Sequence, residues 1–422
     1  MVRKPHLSLI ALLLLLCTAC DYGFNEINPV YAVPLINSNL GIYNLLAKTD
    51  SNRVTTDPDG VVTVVYNNKV LQLPAGRIFT LSDQSYSTSV MYSGPTLNPF
   101  PAGQSVQLNG EAEVNFSAAG IPELYRILLE KGGLSVSLNS NVRHTITYIL
   151  TFPDLVVNGT PVNLSGTSQY NGSGHAISRS QSIDNAAIDL SKVNTTFNTF
   201  RVRYNISIIS SGSAPISSND GVTIGVGLNN LSYNQVDCYL GNSIIPLSLD
   251  SVEIDLFQFT NESQTPSGAS FALTDPRVNL KFTNNMTIPM NINLKQLLLK
   301  EPESGISTNL LLSNFQNPFS IQYPLVPGQP VETNVSINRS NSNLRDLITP
   351  KKKVLIYQVE AMPNPGSKTI NRITKEGMLG VETAVELPLT GFGYDWVLQD
   401  TVQLGLSLSE QQNLKSGVLR IN

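Results

Sequence analysis

Few residues in this chain could do chemistry, and their spacing argues against most of it. Beyond the first twenty residues the only imidazoles are His144 and His175, too far apart in sequence for the HExxH spacing that sets two ligands on one helix face. Asn171-Gly172-Ser173-Gly174-His175 brings a serine near a histidine, but without the G-x-S-x-G turn that exposes a nucleophile, so it reads as a polar loop. Asp57 and Asp59 match the start of a calcium loop whose later oxygen ligands are missing, and a hairpin turn explains them better. Glycoside hydrolysis needs only two carboxylates. Glu111 with Glu113, and Glu253 with Asp255, each lie two apart and so share one strand face, but neither pair has aromatic neighbours to hold a sugar. Both read as solvated faces. No phosphate-cradling loop, paired-cysteine motif or dinucleotide fingerprint occurs, so no catalytic, cofactor-binding or metal-ligating residue is assigned.

Thiol chemistry is narrower still. Cys238 sits in VDCYLGN, an apolar and aromatic setting in which a buried thiol is inert filler. The other two cysteines fall at the start, in MVRKPHLSLIALLLLLCTAC, where Arg3 and Lys4 precede an apolar run from Leu7 to Leu16 and small residues lead to Cys20. That run is a secretory signal, since a membrane-spanning helix needs roughly 20 apolar residues. It resembles a bacterial lipoprotein signal, with Thr18 and Ala19 before the cysteine and Cys17 where the pattern usually has Leu, Val or Ile. The resemblance implies that Cys20 receives lipid and becomes the N-terminus, which leaves Cys238 without a disulfide partner. A cell-envelope address follows, with the outer membrane expected. Asp21 after the lipid cysteine favours the inner membrane in enteric bacteria, a rule that does not hold in all outer-membrane bacteria.

Only 14% of residues are charged, against about 25% in ordinary domains, and Asn, Ser and Thr supply the polar surface instead. A net charge of -4 without a basic patch excludes nucleic acid as a partner. Lys351 to Lys353 reads as a solvated start to a strand. The expected partners are the membrane, through the lipid, and an envelope protein or glycan.

The elements that must position these residues are strands. Ser105 to Ser117 sets Val106, Leu108, Ala112, Val114 and Phe116 on one face and Gln107, Asn109, Glu111, Glu113 and Asn115 on the other, a half-buried antiparallel strand. The alternation returns at Thr145 to Phe152, Phe200 to Ile208, Val222 to Leu228, Val252 to Leu256, Val278 to Phe282, Ile288 to Leu294, Val331 to Ile337 and Val402 to Leu408. Turn residues fall between them at Asp57 to Gly60, Asn158-Gly159 and Asn219 to Gly221. Beyond the first fifty residues three short helices are expected, at Pro122 to Lys131, Asn343 to Ile348 and Ser409 to Lys415. The pattern predicts an all-β fold of tandem antiparallel immunoglobulin-like sandwiches.

An internal echo supports the tandem arrangement. LSVSLNSNV at Leu134 to Val142 leads into ITYILTF, and VNLKFTNNM at Val278 to Met286 leads into IPMNINL, each reading as a hairpin with an Asn-containing turn. The chain also resembles a group of large bacterial envelope lipoproteins. The matching residues are Pro29, Ala32, Pro34, Leu35, Asn37 and Ser38, then Tyr239 to Gly241, Asp250 to Phe257, Leu273 to Pro289, Pro350 to Gly366 and Val385 to Phe392. The Asp275 to Pro289 portion is similar to desiccation-protein sandwich domains. Neither resemblance implies catalytic residues.

The expected organisation is a signal at 1–19, a lipid-anchored tether at 20–50 with a short helix at Asn39 to Leu46, one sandwich at 51–248 and a second at 249–422. Phe392, Tyr394 and Trp396 form the candidate contact surface, the alternative being a buried anchor at the sandwich end. Ser416 to Asn422 reads as a strand lacking its return partner, as if the sequence stopped inside a domain, the alternative being a strand that pairs with an earlier one. The expected function is a non-catalytic binding or assembly module. The alternatives are a carbohydrate hydrolase, which needs two carboxyls in one cleft, and a carrier, which needs an apolar cavity.

Overall fold

The computed structural model describes residues 52–67, 71–192, 195–247, 249–255, 270–349, 351, 353–366 and 368–394. In chain order the elements are β1 (Asn52–Thr56), β2 (Val62–Asn67), β3 (Leu71–Pro74), α1 (Ala75–Ile78), β4 (Thr80–Leu81), β5 (Gln84–Met91), β6 (Ser105–Asn115), β7 (Ala118–Ala119), β8 (Glu123–Ser140), β9 (Thr145–Val157), β10 (Thr160–Ser168), β11 (His175–Ser182), β12 (Ala187–Asp189), β13 (Thr199–Ile209) and β14 (Gly221–Tyr239). There follow β15 (Ile245–Pro246), β16 (Asp250–Ile254), β17 (Ser270–Leu273), β18 (Arg277–Asn284), β19 (Met290–Lys300), β20 (Ser307–Asn309), β21 (Phe319–Ile321), β22 (Val331–Ile337), α2 (Leu344–Leu347), β23 (Lys353–Pro363), β24 (Asn371–Thr374), β25 (Met378–Pro388) and β26 (Gly391–Tyr394). The fold is all-β and antiparallel, a β-sandwich architecture with two one-turn helices.

The first sandwich is a ten-stranded sheet ordered β24-β14-β8-β12-β9-β13-β6, with β5 on β14, β11 on β8 and β10 on β9. Short β12 bridges β8 and β9, pairing Ala187 with both Leu128 and Val156. The second sandwich sets the sheet β1-β2-β25-β18-β22, with β3 on β25, against one built on β23 and β19. Phe282 of β18 meets Phe319 of β21 edge to face between these sheets, with centroids 5.6 Å apart. β1 to β3, expected with the first sandwich, therefore pair into the second, and the first, apart from β24, is inserted between β3 and β15.

Period two fixes the core throughout. On β6, Leu108 and Val114 are buried while Gln107, Asn109, Glu111 and Glu113 are exposed. The Asn158-Gly159 turn joins β9 to β10, both residues with positive φ (50° and 81°), the geometry that lets a two-residue hairpin follow strand twist. Gly221 serves another need: its φ is ordinary, but a Cβ there would stand 2.6 Å from the Val90 carbonyl oxygen, so the close approach of β5 demands glycine.

The helix expected at Pro122 to Lys131 is strand. β8 runs through it, and its pairing with β14 skips Tyr125 and Glu130 as bulges. An inserted residue resets the alternation, so Leu124 and Ile127 are both fully buried three apart, a spacing that imitates a helix. The single turn at α2 lies inside the stretch expected to be helical. Lys353 begins β23 and is ion-paired with Glu301 at 3.0 Å. The tether, the Val402 to Leu408 strand, the Ser409 to Lys415 helix and the terminal Ser416 to Asn422 lie outside the described residues.

The echoed segments are not hairpins. β18 crosses from one sheet to β19 in the other, and β8 pairs with β11, β12 and β14 but not with β9. Each segment is a corner. Leu134 to Leu150 nevertheless aligns without a gap on Val278 to Leu294, with the same buried positions at 134, 136, 138, 142, 144, 146, 148 and 150 as at 278, 280, 282, 286, 288, 290, 292 and 294.

Candidate functional site

The likeness extends to the atoms that hold each corner. Asn141 accepts from the Gly221 amide (3.0 Å) and donates to the Asn219 carbonyl (2.8 Å). Asn285 accepts from Met378 (2.6 Å) and donates to Glu376 (3.1 Å). In both corners one side-chain amide clamps a residue and the one two before it, where the return strand begins. That strand is β14 in one copy and β25 in the other. The residue before each Asn caps the turn in the same way: Ser140 Oγ accepts from Val142 (3.1 Å), and Asn284 Oδ1 from Met286 (2.9 Å).

Where the copies part, the first becomes polar. Ile288 in the second copy is matched by buried His144, and Val331, paired with Asn284, by buried His175, paired with Ser140. His175 donates from Nε2 to the His144 carbonyl (2.8 Å), which leaves Nδ1 to accept from Ser168 Oγ (2.8 Å). His144 Nδ1 accepts from the Ser211 amide (3.3 Å), while its Nε2 is buried without a partner beside Phe100. Burial holds the His175 imidazole below its ordinary pKa, outweighing its hydrogen bonds to the His144 and Val142 backbone. A neutral ring thus ties the end of β10 to the start of β9, and His144 ties both to the end of β13.

At the far end, buried Asp154 of β9 accepts the Arg201 backbone amide of β13 (2.9 Å) and two guanidinium bonds (2.8 and 2.5 Å). The bond to Asp154 raises the Arg201 pKa further above its already high value. Between these two fastenings, three strands present an outer face. Thr167, Thr147 and Ser207 form one cross-strand row, and Ser165, Ile149 and Asn205 the next. They line a shallow groove of about 290 Å³. Gln107 extends the first row by donating to Ser207 (2.9 Å). Neighbours within a row stand about 4.8 Å apart and successive rows about 6.8 Å apart, a regular array of short donors and acceptors. Ile149, 51% exposed, gives it an apolar centre.

The sequence-derived candidates distribute around this face without joining it. Glu111 accepts from Arg203 (2.7 Å) and Glu113 pairs with Lys192, so each carboxylate of this pair has a cationic partner. The serine on His175 is Ser168, not Ser173, whose hydroxyl bonds Asn171. Asp57 caps its hairpin by accepting the Val61 amide (2.8 Å). Glu253 lies on exposed β16 positions and Asp255 just beyond it. Cys238 is fully buried and its thiol is pushed far up by burial and then by Asp237. Among the described residues no group of three His, Cys, Asp or Glu is gathered as metal ligands, and no helix is long and apolar enough to cross a membrane. Phe392 is 54% exposed on β26, where Tyr394 is the last residue. Trp396 and Cys20 lie outside the described residues.

No protein-family model matches the chain, and no curated protein matches it. Among solved structures it is similar to a protein from Parabacteroides distasonis ATCC 8503 provisionally described as secreted, with 10% identity over 77% of this chain and 99% of that one and a TM-score of 0.26. It is also similar to a chain of Broad Bean Stain Virus, with 9% identity over 78% and 94% and a TM-score of 0.21. A third likeness, at 6% identity over 76% and 97% with a TM-score of 0.14, is to the tandem CBM22 domains of Paenibacillus barcinonensis Xyn10C. Likenesses this slight carry no argument about function.

Proposed function

We propose that this chain is a lipid-anchored protein of the cell envelope, held at the outer membrane, that acts as a non-catalytic binding module for a neutral glycan. The observation that carries the reading is the groove on β10, β9 and β13. Its side chains are uncharged, short and arrayed in rows, and Ser and Thr lose little rotamer freedom when a ligand fixes them. A sugar chain presents the complementary surface, hydroxyls at its edges and C–H groups over Ile149. Fastening at both ends, by the His144 and His175 corner and by Arg201 with Asp154, keeps the rows in register before ligand arrives, which lowers the ordering cost of binding. Anchoring follows from the Met1 to Cys20 signal.

Calorimetric titration with neutral oligosaccharides tests the binding half. The doubly substituted Thr167→Val, Asn205→Ala protein should bind about tenfold more weakly, two hydrogen bonds of roughly 0.5–1.5 kcal/mol each. Equal affinity in the variant contradicts the groove, and release of new reducing ends by the wild type contradicts a non-catalytic role. The anchoring half is separate: Cys20→Ser should abolish acylation and free the protein from membranes, and retention there would contradict it.

A further inference from the structure

A second site stands at the bulged start of β8, and its shape is that of a receptor for a cation. Glu123 and Tyr125, two apart on β8, share one face, and the Tyr125 hydroxyl donates to the Glu123 carboxylate. Two further rings stand near. Phe197, 41% exposed, lies with its centroid 6.4 Å from that of Tyr125, and Tyr239 ends β14 opposite Glu123. All four groups belong to the first sandwich. The ammonium among them does not. Lys368, from the connection between β23 and β24, places Nζ 2.5 Å from Glu123 Oε2, 5.7 Å from the Phe197 centroid and 5.6 Å from that of Tyr239. Burial would raise the Glu123 pKa, but the bonds from Lys368 and Tyr125 outweigh it, so the group is lowered and stays anionic.

We propose that Glu123, Tyr125, Phe197 and Tyr239 form a binding site for the ammonium group of an alkylammonium ligand, and that Lys368 is an exchangeable occupant supplied by the chain itself. Aromatic faces and a carboxylate together select a cation over a neutral isostere, because the ring quadrupoles attract charge and the acid pairs with it. The pair is open to exchange: the Lys368 side chain is 52% exposed, whereas the Glu123 side chain is 16% exposed, so the receptor is more enclosed than its occupant. Two rings about the ammonium and a tyrosine hydroxyl on the carboxylate are more than an ion-paired structural lysine requires. A ligand that displaces it leaves Lys368 to solvent, and the site then reports the ligand to the connection carrying β24.

The test is a titration, followed by amide NMR, with choline, with its uncharged carbon isostere 3,3-dimethylbutanol, and with phosphatidylcholine vesicles to separate a free ammonium from a lipid headgroup. Wild type should show weak saturable shifts with choline or with the vesicles and none with the isostere. Lys368→Met, which keeps the apolar stem, should bind at least about tenfold more tightly, since no internal cation competes. Adding Phe197→Ala to that variant should remove the gain. The proposal is overturned if neither wild type nor Lys368→Met binds, if the isostere binds equally well, if Phe197→Ala leaves the gain intact, or if Lys368→Met fails to fold, because the lysine is then part of the structure and not an occupant.

Discussion

The corner at Ser140 and Asn141 and the corner at Asn284 and Asn285 use the same hydrogen bonds, yet the groups packed around them have opposite character. In the second copy Met286, Ile288 and Val331 surround the turn. In the first, Val142, His144 and His175 occupy the matched places, joined by Ser168 and Ser211. Clamping is thus the common structural need, met by one asparagine whose amide serves a donor and an acceptor at once. The polar cluster is an addition. It costs desolvation, which an aliphatic corner avoids, and it appears only in the copy whose outer face carries the groove.

Truncation in the matched cores should cost the most stability. Phe282→Ala should cost roughly 3–5 kcal/mol and Leu138→Ala roughly 2–5 kcal/mol in denaturant unfolding, since both positions are buried at the same point of the shared pattern. A cost below about 1 kcal/mol for either would mean that the two strands do not do the same work.

Acid should separate the copies. The folded His175 pKa is depressed below its unfolded value of about 6.5, so the unfolded chain binds more protons in that range. Its contribution is therefore complete above pH about 6.5 and is lost as pH falls through the lower folded value. His175→Val, which copies Val331, should flatten that part of the thermal stability profile, measured between pH 5 and 8 as about the range in which imidazole titrates. An unchanged slope in the variant would place the titration elsewhere.

The smallest effect sharpens the division between groove and surface charge. Glu111→Gln should change stability by less than about 1 kcal/mol, because its pair with Arg203 is solvent-exposed, and should leave glycan affinity unaltered. A large loss of either would give the carboxylate a role beyond its ion pair with Arg203.

Much of this was legible in the residues. Alternation located β6, β9, β13, β18 and β22, because period two has few competing explanations when one face is polar. The echo of LSVSLNSNV in VNLKFTNNM found the matched corners, but not their connection, since a hairpin and a corner share the pattern of strand, asparagine turn, strand, and only long-range pairing separates them. β8 was hidden for a local reason: bulges at Tyr125 and Glu130 broke the alternation into three-residue steps. The groove was invisible for the opposite reason. Its rows gather Thr147, Ser165 and Asn205 from three strands, and each is an unremarkable outward residue in its own sequence. The ammonium box needed Lys368 beside Glu123, 245 positions away, and no short-range signal joins them. Histidine scarcity was the one available pointer, because the two imidazoles after His6 fall in one corner.

Hydrogen exchange at two amides tests the duplicated corner most directly. Asn285→Ala should speed exchange of the Met378 amide, and Asn141→Ala that of Gly221, each by about tenfold, which corresponds to about 1.4 kcal/mol of local stability. Each substitution should leave the other copy's amide at its wild-type rate. Wild-type exchange at Met378 in Asn285→Ala, or acceleration of both amides by either substitution, would contradict two copies each held by its own asparagine.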